Sequence, residues 1–159
     1  TFHRWASREV VRHRGIVDKF AGDAVMATFN VSQPTLDHCI EALEAAIALQ
    51  DRSVLVGLRI GVGIAVGPAI VGQLTPDANV SVLGETTNLA ARLQAQADAG
   101  EIILSDDAFR RARTWLEERN VIIHHLSLQL KGIPAEVPVH RITVSREPAT
   151  AQHGDDRPG

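Results

Sequence analysis

The sequence predicts one α/β domain, in which helices and short strands alternate along most of the chain. Apolar residues recur at helical spacing in several separate stretches, and runs rich in β-branched residues, bounded by Gly or Pro, lie between them. The chain has 159 residues, of which 45% are hydrophobic. It can therefore bury one core without disulfides or a structural metal.

The chain begins with a predicted helix and a predicted β-hairpin. Within residues 1–14, apolar side chains at helical spacing are interspersed with Arg, His and Glu, which indicates an amphipathic helix. Residues 16–20 and 24–29 have the composition of strands and flank Gly22 and Asp23. This arrangement predicts a hairpin with Gly-Asp at its turn.

The middle of the chain predicts a longer helix followed by β structure. Pro34 and Thr35 are typical of a helix start, and the apolar stripe that follows extends to about Arg52. Residues 58–65, in which glycines alternate with Ile and Val, predict a strand. Residues 80–83 predict a second, shorter strand.

The last third of the chain predicts two helices and three strands. In chain order these are a helix over residues 85–97, a strand over 101–104, a helix over 106–116 and a closing strand pair over 121–130 and 137–144. Ser105 precedes the second helix, so its hydroxyl can cap that helix, whose first turn is acidic.

Composition and charge exclude several classes of function. With 16 basic and 19 acidic residues and a formal charge of -3, the chain has no overall basic field for nucleic acid, so no nucleic-acid partner is expected. The single cysteine, Cys39, lies in a helical pattern and predicts a packed thiol in a reducing, cytoplasmic setting. No apolar run approaches the roughly 18 to 20 residues that span a bilayer. Membrane attachment is therefore expected only through domains outside this chain.

Two familiar site patterns do not fit the sequence. Gly61, Gly63 and Gly67 resemble a dinucleotide fingerprint, but Pro68 and further β-type sequence follow where a helix should begin. The histidines include no pair at the helical spacing of zinc ligands, and adjacent histidines in a strand point to opposite faces. Neither a dinucleotide site nor a zinc site is predicted.

Two pairs of polar residues are candidates for chemistry. Asp23 at a tight hairpin turn is a rigid, exposed carboxylate that suits magnesium, and Lys19 lies in the strand before it. Asn88 and Arg92 are one helical turn apart, and such an amide and guanidinium can hold a ribose and a polyphosphate. Ordinary turn chemistry and a solvated helix face would explain these residues equally well.

Four motifs together resemble the catalytic domain of class III adenylyl and guanylyl cyclases. Residues 15–29 are similar to the family's hairpin and residues 58–67 to its central strand. Residues 82–93 resemble its most specific motif, and residues 130–133 match its closing segment. The four occur in the family's order along the chain.

The resemblance implies a ferredoxin-like βαββαβ fold, an α+β sandwich, whose first strand and helix are missing from this sequence. The catalytic domain would cover residues 1–144, and residues 145–159, rich in Pro, Ala, Gly, Asp and Gln, are expected to be a disordered tail. In this family two domains dimerise head to tail, and each ATP lies across the interface. A homodimer with composite active sites is therefore expected.

The resemblance also implies a role for each candidate residue. Asp23 would be one of two aspartates that hold two Mg²⁺ or Mn²⁺ ions, which activate the ribose 3′-hydroxyl and neutralise the triphosphate. The partner subunit would supply the groups that bind the nucleotide. These are Lys19 and Ser81 for the purine, Asn88 for the ribose, and Arg92 and Lys131 for the phosphates.

The identity of Lys19 favours ATP over GTP. Adenine presents an acceptor at N1 and an amine at N6, which a lysine ammonium and a side-chain oxygen complement. Guanine presents the reverse and would favour a carboxylate at this position. Ser81 departs from the Asp that many adenylyl cyclases have, but a hydroxyl also occurs in some bacterial subfamilies. The expected products are cyclic AMP and pyrophosphate.

One part of the family pattern has no counterpart in the sequence. The first strand, with a Phe-Ala-Asp-Ile-like segment that carries the other metal aspartate, does not occur among the 159 residues. We therefore expect this chain alone to be inactive and poorly stable, with an open groove beside residues 24–29. The alternative is a non-catalytic, cyclase-like regulatory or dimerisation module.

Overall fold

The computed structural model describes residues 2–31, 37–72 and 81–144, and the side chain of Ser81 is not among what it describes. These ranges contain four helices and eight strands. In chain order they are α1 (Phe2–Arg12), β1 (Ile16–Ala21), β2 (Ala24–Thr28), α2 (His38–Leu55), β3 (Val62–Ile64), β4 (Ile70–Gly72), β5 (Ser81–Leu83), α3 (Glu85–Gln96), β6 (Glu101–Ser105), α4 (Asp106–Glu117), β7 (Val121–Leu128) and β8 (Val137–Val144). No helix in these ranges is both long and apolar enough to cross a membrane.

The main sheet has four strands in the order β3-β6-β8-β7 and is covered on both faces. Alternate residues of β6 point to opposite faces, as the pleat of a strand requires. Ile102 and Leu104 pack with side chains from α2 and α4, whereas Ile103 packs with Leu93 of α3. The result is an α+β sandwich, which confirms the predicted fold class.

Helix α3 lies directly against the backbone of β3. A methyl group added to Gly63 would stand 2.3 Å from the backbone nitrogen of Gln94 and 2.4 Å from the carbonyl oxygen of Ala90. At Gly61 an added methyl group would stand 2.6 Å from the carbonyl oxygen of Ala97. The alternating glycines of this segment therefore allow a close helix-to-strand approach, and that approach fixes the position of α3.

Two hairpins stand apart from the main sheet. Strands β1 and β2 pair with each other, and so do β4 and β5. Within the described residues β3 pairs only with β6, so its other edge is open, and β2 pairs only with β1. This agrees with the break in the sheet expected beside residues 24–29.

Some predicted boundaries were wrong for physical reasons. The strand predicted over residues 58–65 is limited to β3, because the carbonyl of Ile60 accepts hydrogen bonds from Gly100 N–H and from Gln50 Nε2 rather than joining the ladder. Strand β4 was not predicted: the sequence after Pro68 was described as β-type, but no strand was assigned to it. The strand predicted over residues 121–130 ends at Leu128, where a turn begins.

Other expectations were met or lie outside the described residues. Ser105 caps α4 by accepting a hydrogen bond from Ala108 N–H at 3.2 Å, as predicted. Cys39 is buried, and this burial raises the pKa of its thiol, with Arg111 opposing the shift. The helix start at Pro34 and the tail over residues 145–159 both fall outside the described ranges.

Candidate active site

The hairpin of β1 and β2 presents two of the candidate residues at the surface. Lys19 is exposed on β1, and Asp23 is exposed just after Gly22, whose φ of 61° forms the tight turn. Two side chains of opposite charge thus occupy the same short hairpin. This placement leaves both free to meet a ligand or a second chain.

A β-bulge interrupts the pairing of this hairpin next to Lys19. Val17 pairs with Ala27 and Lys19 pairs with Met26, so Asp18 is the extra residue on β1. A bulge bends its strand and redirects the side chains beside it. The backbone irregularity therefore lies immediately before the lysine expected to read a base.

A hydrogen bond joins this bulge to β5. The backbone N–H of Val82 donates to Oδ1 of Asp18 at 3.0 Å. Val82 is almost completely buried and follows Ser81, which pairs with Gly72 in the neighbouring hairpin. The structure thus brings the segments that carry Lys19 and Ser81 together, although the orientation of the Ser81 side chain lies outside the described part.

The start of α3 is held by hydrogen bonds to the loops around it. Gly84 precedes the helix in a conformation with φ of 140°, which favours glycine. The hydroxyl of Thr87 donates to the Gly84 carbonyl at 2.7 Å, and the hydroxyl of Thr86 donates to the Pro68 carbonyl at 2.7 Å. One helical turn separates Asn88, which is exposed, from Arg92, which is partly buried.

The partial burial of Arg92 comes from the turn that follows Leu130. A Cβ atom added to Gly132 would lie 3.2 Å from Nη2 of Arg92, so the guanidinium rests against that glycine. Lys131, next to it, is exposed. The guanidinium of Arg92 therefore rests against the turn that carries Lys131, while Lys19 and Asp23 lie on the separate hairpin.

The turn that carries Lys131 is itself well fixed. Leu130 is buried in the core, and its carbonyl accepts a hydrogen bond from Ile133 N–H at 3.0 Å. The amide of Gln129 donates to the carbonyl oxygens of Ile133 at 2.9 Å and Pro134 at 3.3 Å. These hydrogen bonds fix the backbone of the turn against which Arg92 rests.

A complete metal centre is not formed by the described residues. Asp23 offers an exposed carboxylate of the kind that Mg²⁺ and Mn²⁺ prefer. Within residues 2–31, 37–72 and 81–144, however, no group of three His, Cys, Asp or Glu side chains could hold an ion. Among the described residues, Asp23 is therefore a single candidate ligand rather than a member of a cluster of three.

A polar relay that the sequence analysis missed lies away from these residues. Nδ1 of His125 is 2.6 Å from Nδ1 of His140, and Nε2 of His140 is 2.8 Å from Oδ1 of Asp106. The hydrogen bond with His140, together with the nearby charge of Arg110, lowers the pKa of Asp106, and partial burial opposes this shift. The ring of Phe109 stacks on His140 with centroids 3.9 Å apart.

The residues of the relay were missed because they lie far apart in the sequence. His125 and His140 are directly opposite each other in the antiparallel pair of β7 and β8, which becomes visible only when the two strands are aligned in register. Asp18 gave a weaker signal, as a second charged residue beside Lys19 in an apolar strand. Its partner, Val82 N–H, could not be identified from the sequence.

Comparison with known proteins identifies the family. Residues 8–141 match the model of the adenylate and guanylate cyclase catalytic domain. The chain therefore belongs to the adenylate and guanylate cyclase catalytic domain family, which confirms the resemblance found in the sequence.

Relatives and solved structures agree with this membership. The chain is 35% identical over 129 residues to "Uncharacterized protein Rv1318c" of Mycobacterium tuberculosis, and the match covers 76% of this chain and 24% of that protein. It thus spans about a quarter of the length of this curated relative.

The fold is similar to that of both kinds of cyclase. The guanylyl cyclase Cya2 matches with a TM-score of 0.74 and 21% identity, over 93% of this chain and 79% of that one. The adenylyl cyclase CyaB from P. aeruginosa matches with a TM-score of 0.72 and 21% identity, over 91% and 80%. Because one is a guanylyl and the other an adenylyl cyclase, overall similarity does not indicate whether this chain selects adenine or guanine.

Proposed function

We propose that this chain is the catalytic domain of an adenylyl cyclase, which converts ATP into 3′,5′-cyclic AMP and pyrophosphate at sites shared between two copies. The contact of Arg92 with Gly132, beside Lys131, supports the proposal most strongly. Arg92, one helical turn from Asn88, rests against the turn that also carries Lys131, and both cations suit a triphosphate.

The chemistry of cyclisation explains the choice of these side chains. The ribose 3′-oxygen forms a bond to the α-phosphorus, its proton is lost, and the bond to the leaving pyrophosphate breaks. Negative charge accumulates on the phosphate oxygens as this occurs, and preorganised cationic donors stabilise it. Arg92 offers a planar fork of donors, Lys131 a compact charge, and Asn88 an amide that can orient the ribose.

The base assignment depends on the hairpin and β5. Lys19 can donate to N1 of adenine, and the hydroxyl of Ser81 can accept from the N6 amine. The hydrogen bond between Asp18 and Val82 N–H supports this assignment, because it holds the backbone segments of the two residues side by side. A lysine is a poor partner for guanine N1–H, which favours ATP.

An exposed pair of apolar side chains supports the homodimer. Ile70 is 72% exposed, and Leu83, which pairs with it across the hairpin, is also more than half exposed. Two apolar side chains next to each other on one face of an exposed hairpin are typical of an interaction surface. In the proposed dimer, Asp23 comes from one copy, and Arg92 and the other nucleotide-binding residues come from the second.

Divalent metal ions belong to the proposal as a family property. Asp23 would hold Mg²⁺ or Mn²⁺, and such an ion would supply charge stabilisation at the phosphates when bound.

The experiment uses the full-length gene product, supplied with ATP or GTP and with Mg²⁺ or Mn²⁺. Cyclic AMP and pyrophosphate are the expected products, quantified by chromatography and mass spectrometry. Arg92→Ala should lower turnover on the order of 100-fold, because it removes transition-state charge stabilisation. Arg8→Ala, which removes an exposed arginine of α1, is the control and should retain activity. Cyclic GMP as the main product, or full activity of Arg92→Ala, would contradict the proposal.

A second candidate is a non-catalytic module that binds nucleotide or dimerises. The exposed pair Ile70 and Leu83 favours it as well, because dimerisation through such a surface needs no catalysis. Calorimetry would show ATP binding to the full-length protein, while the same preparation forms no cyclic nucleotide. A measurable rate of cyclic AMP formation excludes this candidate.

A further inference from the structure

Asp18 has an unusual environment for a carboxylate in a hairpin strand. Its Oδ1 accepts a hydrogen bond from Val82 N–H at 3.0 Å. Its Oδ2 is buried and has no hydrogen-bond partner among the described residues. An unpaired buried carboxylate oxygen destabilises a fold, and this cost offsets what the hydrogen bond to the buried Val82 N–H contributes. The net stabilisation is therefore small, and the side chain suits a role in geometry.

The bulge explains why this particular residue can reach β5. As the extra residue between Val17 and Lys19, Asp18 has no direct partner on β2. Its carboxylate is therefore free to cross to a strand 64 positions further along the chain. A residue in a regular antiparallel ladder would face a partner on its own hairpin instead.

The two ends of this hydrogen bond are each adjacent to a residue of the proposed base site. Asp18 precedes Lys19, and Val82 follows Ser81. The hairpin and β5 belong to two separate two-stranded sheets, so no shared ladder sets the distance between them. A single side chain thus ties together two otherwise independent supports of the purine-binding residues.

We propose that Asp18 is a positioning residue for base selection: its hydrogen bond to Val82 N–H sets the separation of Lys19 and Ser81, and through it the preference between the two purines. The proposal rests on the proposed function, because it assigns the base to these two residues. Asp18 itself touches no substrate. A small displacement of a positioned group is enough to lower discrimination, because hydrogen bonds weaken steeply when length or angle is poor.

The test compares Asp18→Ala with Asp18→Asn in the full-length gene product. The quantity measured is the ratio of kcat/KM for ATP to kcat/KM for GTP. Asp18→Ala removes the acceptor and should move this ratio about tenfold towards one, mainly through KM for the preferred nucleotide. Asp18→Asn keeps an oxygen that can accept from Val82 N–H, so it should restore most of the preference.

Ser105→Ala is the matched control. Like Asp18, Ser105 accepts a hydrogen bond from a backbone N–H, that of Ala108, and its loss should lower the melting temperature. It lies at the start of α4, away from the proposed base site. The nucleotide ratio should stay at the wild-type value in this variant, whatever happens to its stability.

The outcomes separate this proposal from the proposed function. An unchanged ratio in Asp18→Ala, or an Asn variant that behaves like the Ala variant, overturns the positioning role. A wild type that prefers GTP contradicts the adenylyl assignment alone, since Asp18→Ala should still move the ratio towards one. If no cyclic product forms, the dissociation constants for ATP and GTP are compared instead, and equal binding of both by all three proteins overturns the role of Asp18.

Discussion

Gly132 shows how a single residue can set the environment of a charged group. Its φ is 80°, a conformation that strains any residue with a side chain. An added Cβ would also approach Nη2 of Arg92 to 3.2 Å. Glycine is therefore favoured twice at this position, once by the backbone and once by the guanidinium beside it. The guanidinium of Arg92 can thus rest against the turn that carries Lys131.

Lys19→Glu should change the base preference of the full-length gene product. A carboxylate accepts from guanine N1–H and repels the N1 acceptor of adenine, so the ratio of kcat/KM for ATP to that for GTP should fall about tenfold or more. Steady-state kinetics with each nucleotide measures this ratio. Lys131→Glu is the control: it should lower kcat/KM for ATP and for GTP alike, because both nucleotides carry a triphosphate. An equal loss of kcat/KM for both nucleotides in Lys19→Glu would refute the base-reading role.

The sequence could propose candidate residues but not their contacts. Each of the proposed residues lies in a local motif: Lys19, Asp23, Ser81, Asn88, Arg92 and Lys131. The contact between Arg92 and Gly132 and the bond between Asp18 and Val82 N–H could not be predicted, since they depend on how distant segments pack. A one-dimensional pattern carries no information on such distances.

Helix α3 and strand β3 illustrate the element scale, because their close packing places the proposed catalytic face. We expect Gly63→Ala to destabilise the domain by about 2 kcal/mol or more, since backbone atoms of α3 leave no space for a methyl group. Urea unfolding followed by circular dichroism measures the change. Cyclase activity should fall as well, because α3 must shift together with Asn88 and Arg92.

Gly72→Ala is the matched control for that experiment. It also lies in a strand, yet a methyl group there would meet no atom of the described residues within 4 Å, and its φ is not positive. Its free energy of unfolding should change by less than about 1 kcal/mol. Equal losses in the two variants would show that the contact with α3 is not what requires glycine at position 63.

The relay at the start of α4 predicts a pH dependence of stability. Because the folded state lowers the pKa of Asp106, its ionised form is favoured by folding. This contribution is fully present above the ordinary Asp value of about 4 and is lost as the pH falls through the lower folded value. The difference in unfolding free energy between wild type and Asp106→Asn should therefore shrink as the pH falls below about 4.

Asp107→Asn controls for the charge at the N-terminus of this helix. Asp107 occupies the same first turn but is exposed. As the pH falls, the difference in unfolding free energy from wild type should shrink more for Asp106→Asn than for Asp107→Asn. Parallel curves for wild type and Asp106→Asn over about pH 3 to 7 would show that the bond to His140 does not stabilise the fold.

Most elements of the whole molecule could be predicted, whereas their assembly could not. Helical periodicity located α2, α3 and α4, and the closing strand pair was found from its composition. Strand β4 was missed, and the assignment of strands to separate sheets was beyond local patterns. Those features depend on tertiary pairing, such as the open edge of β3 and the pairing of β4 with β5.

The proposed dimer predicts complementation between two inactive variants of the full-length gene product. Asp23→Ala and Arg92→Ala each remove one half of a composite site, so each variant alone should retain little activity. Random pairing after mixing makes half of the dimers mixed, and each mixed dimer has one intact site of two, which gives about a quarter of wild-type activity.

Asn88→Ala mixed with Arg92→Ala is the control, because both residues come from the same copy and every site stays defective. Recovery in the first mixture and not in the second requires that Asp23 and Arg92 meet across an interface. Failure of the first mixture, with dimer exchange verified, would place both residues of each site in a single chain.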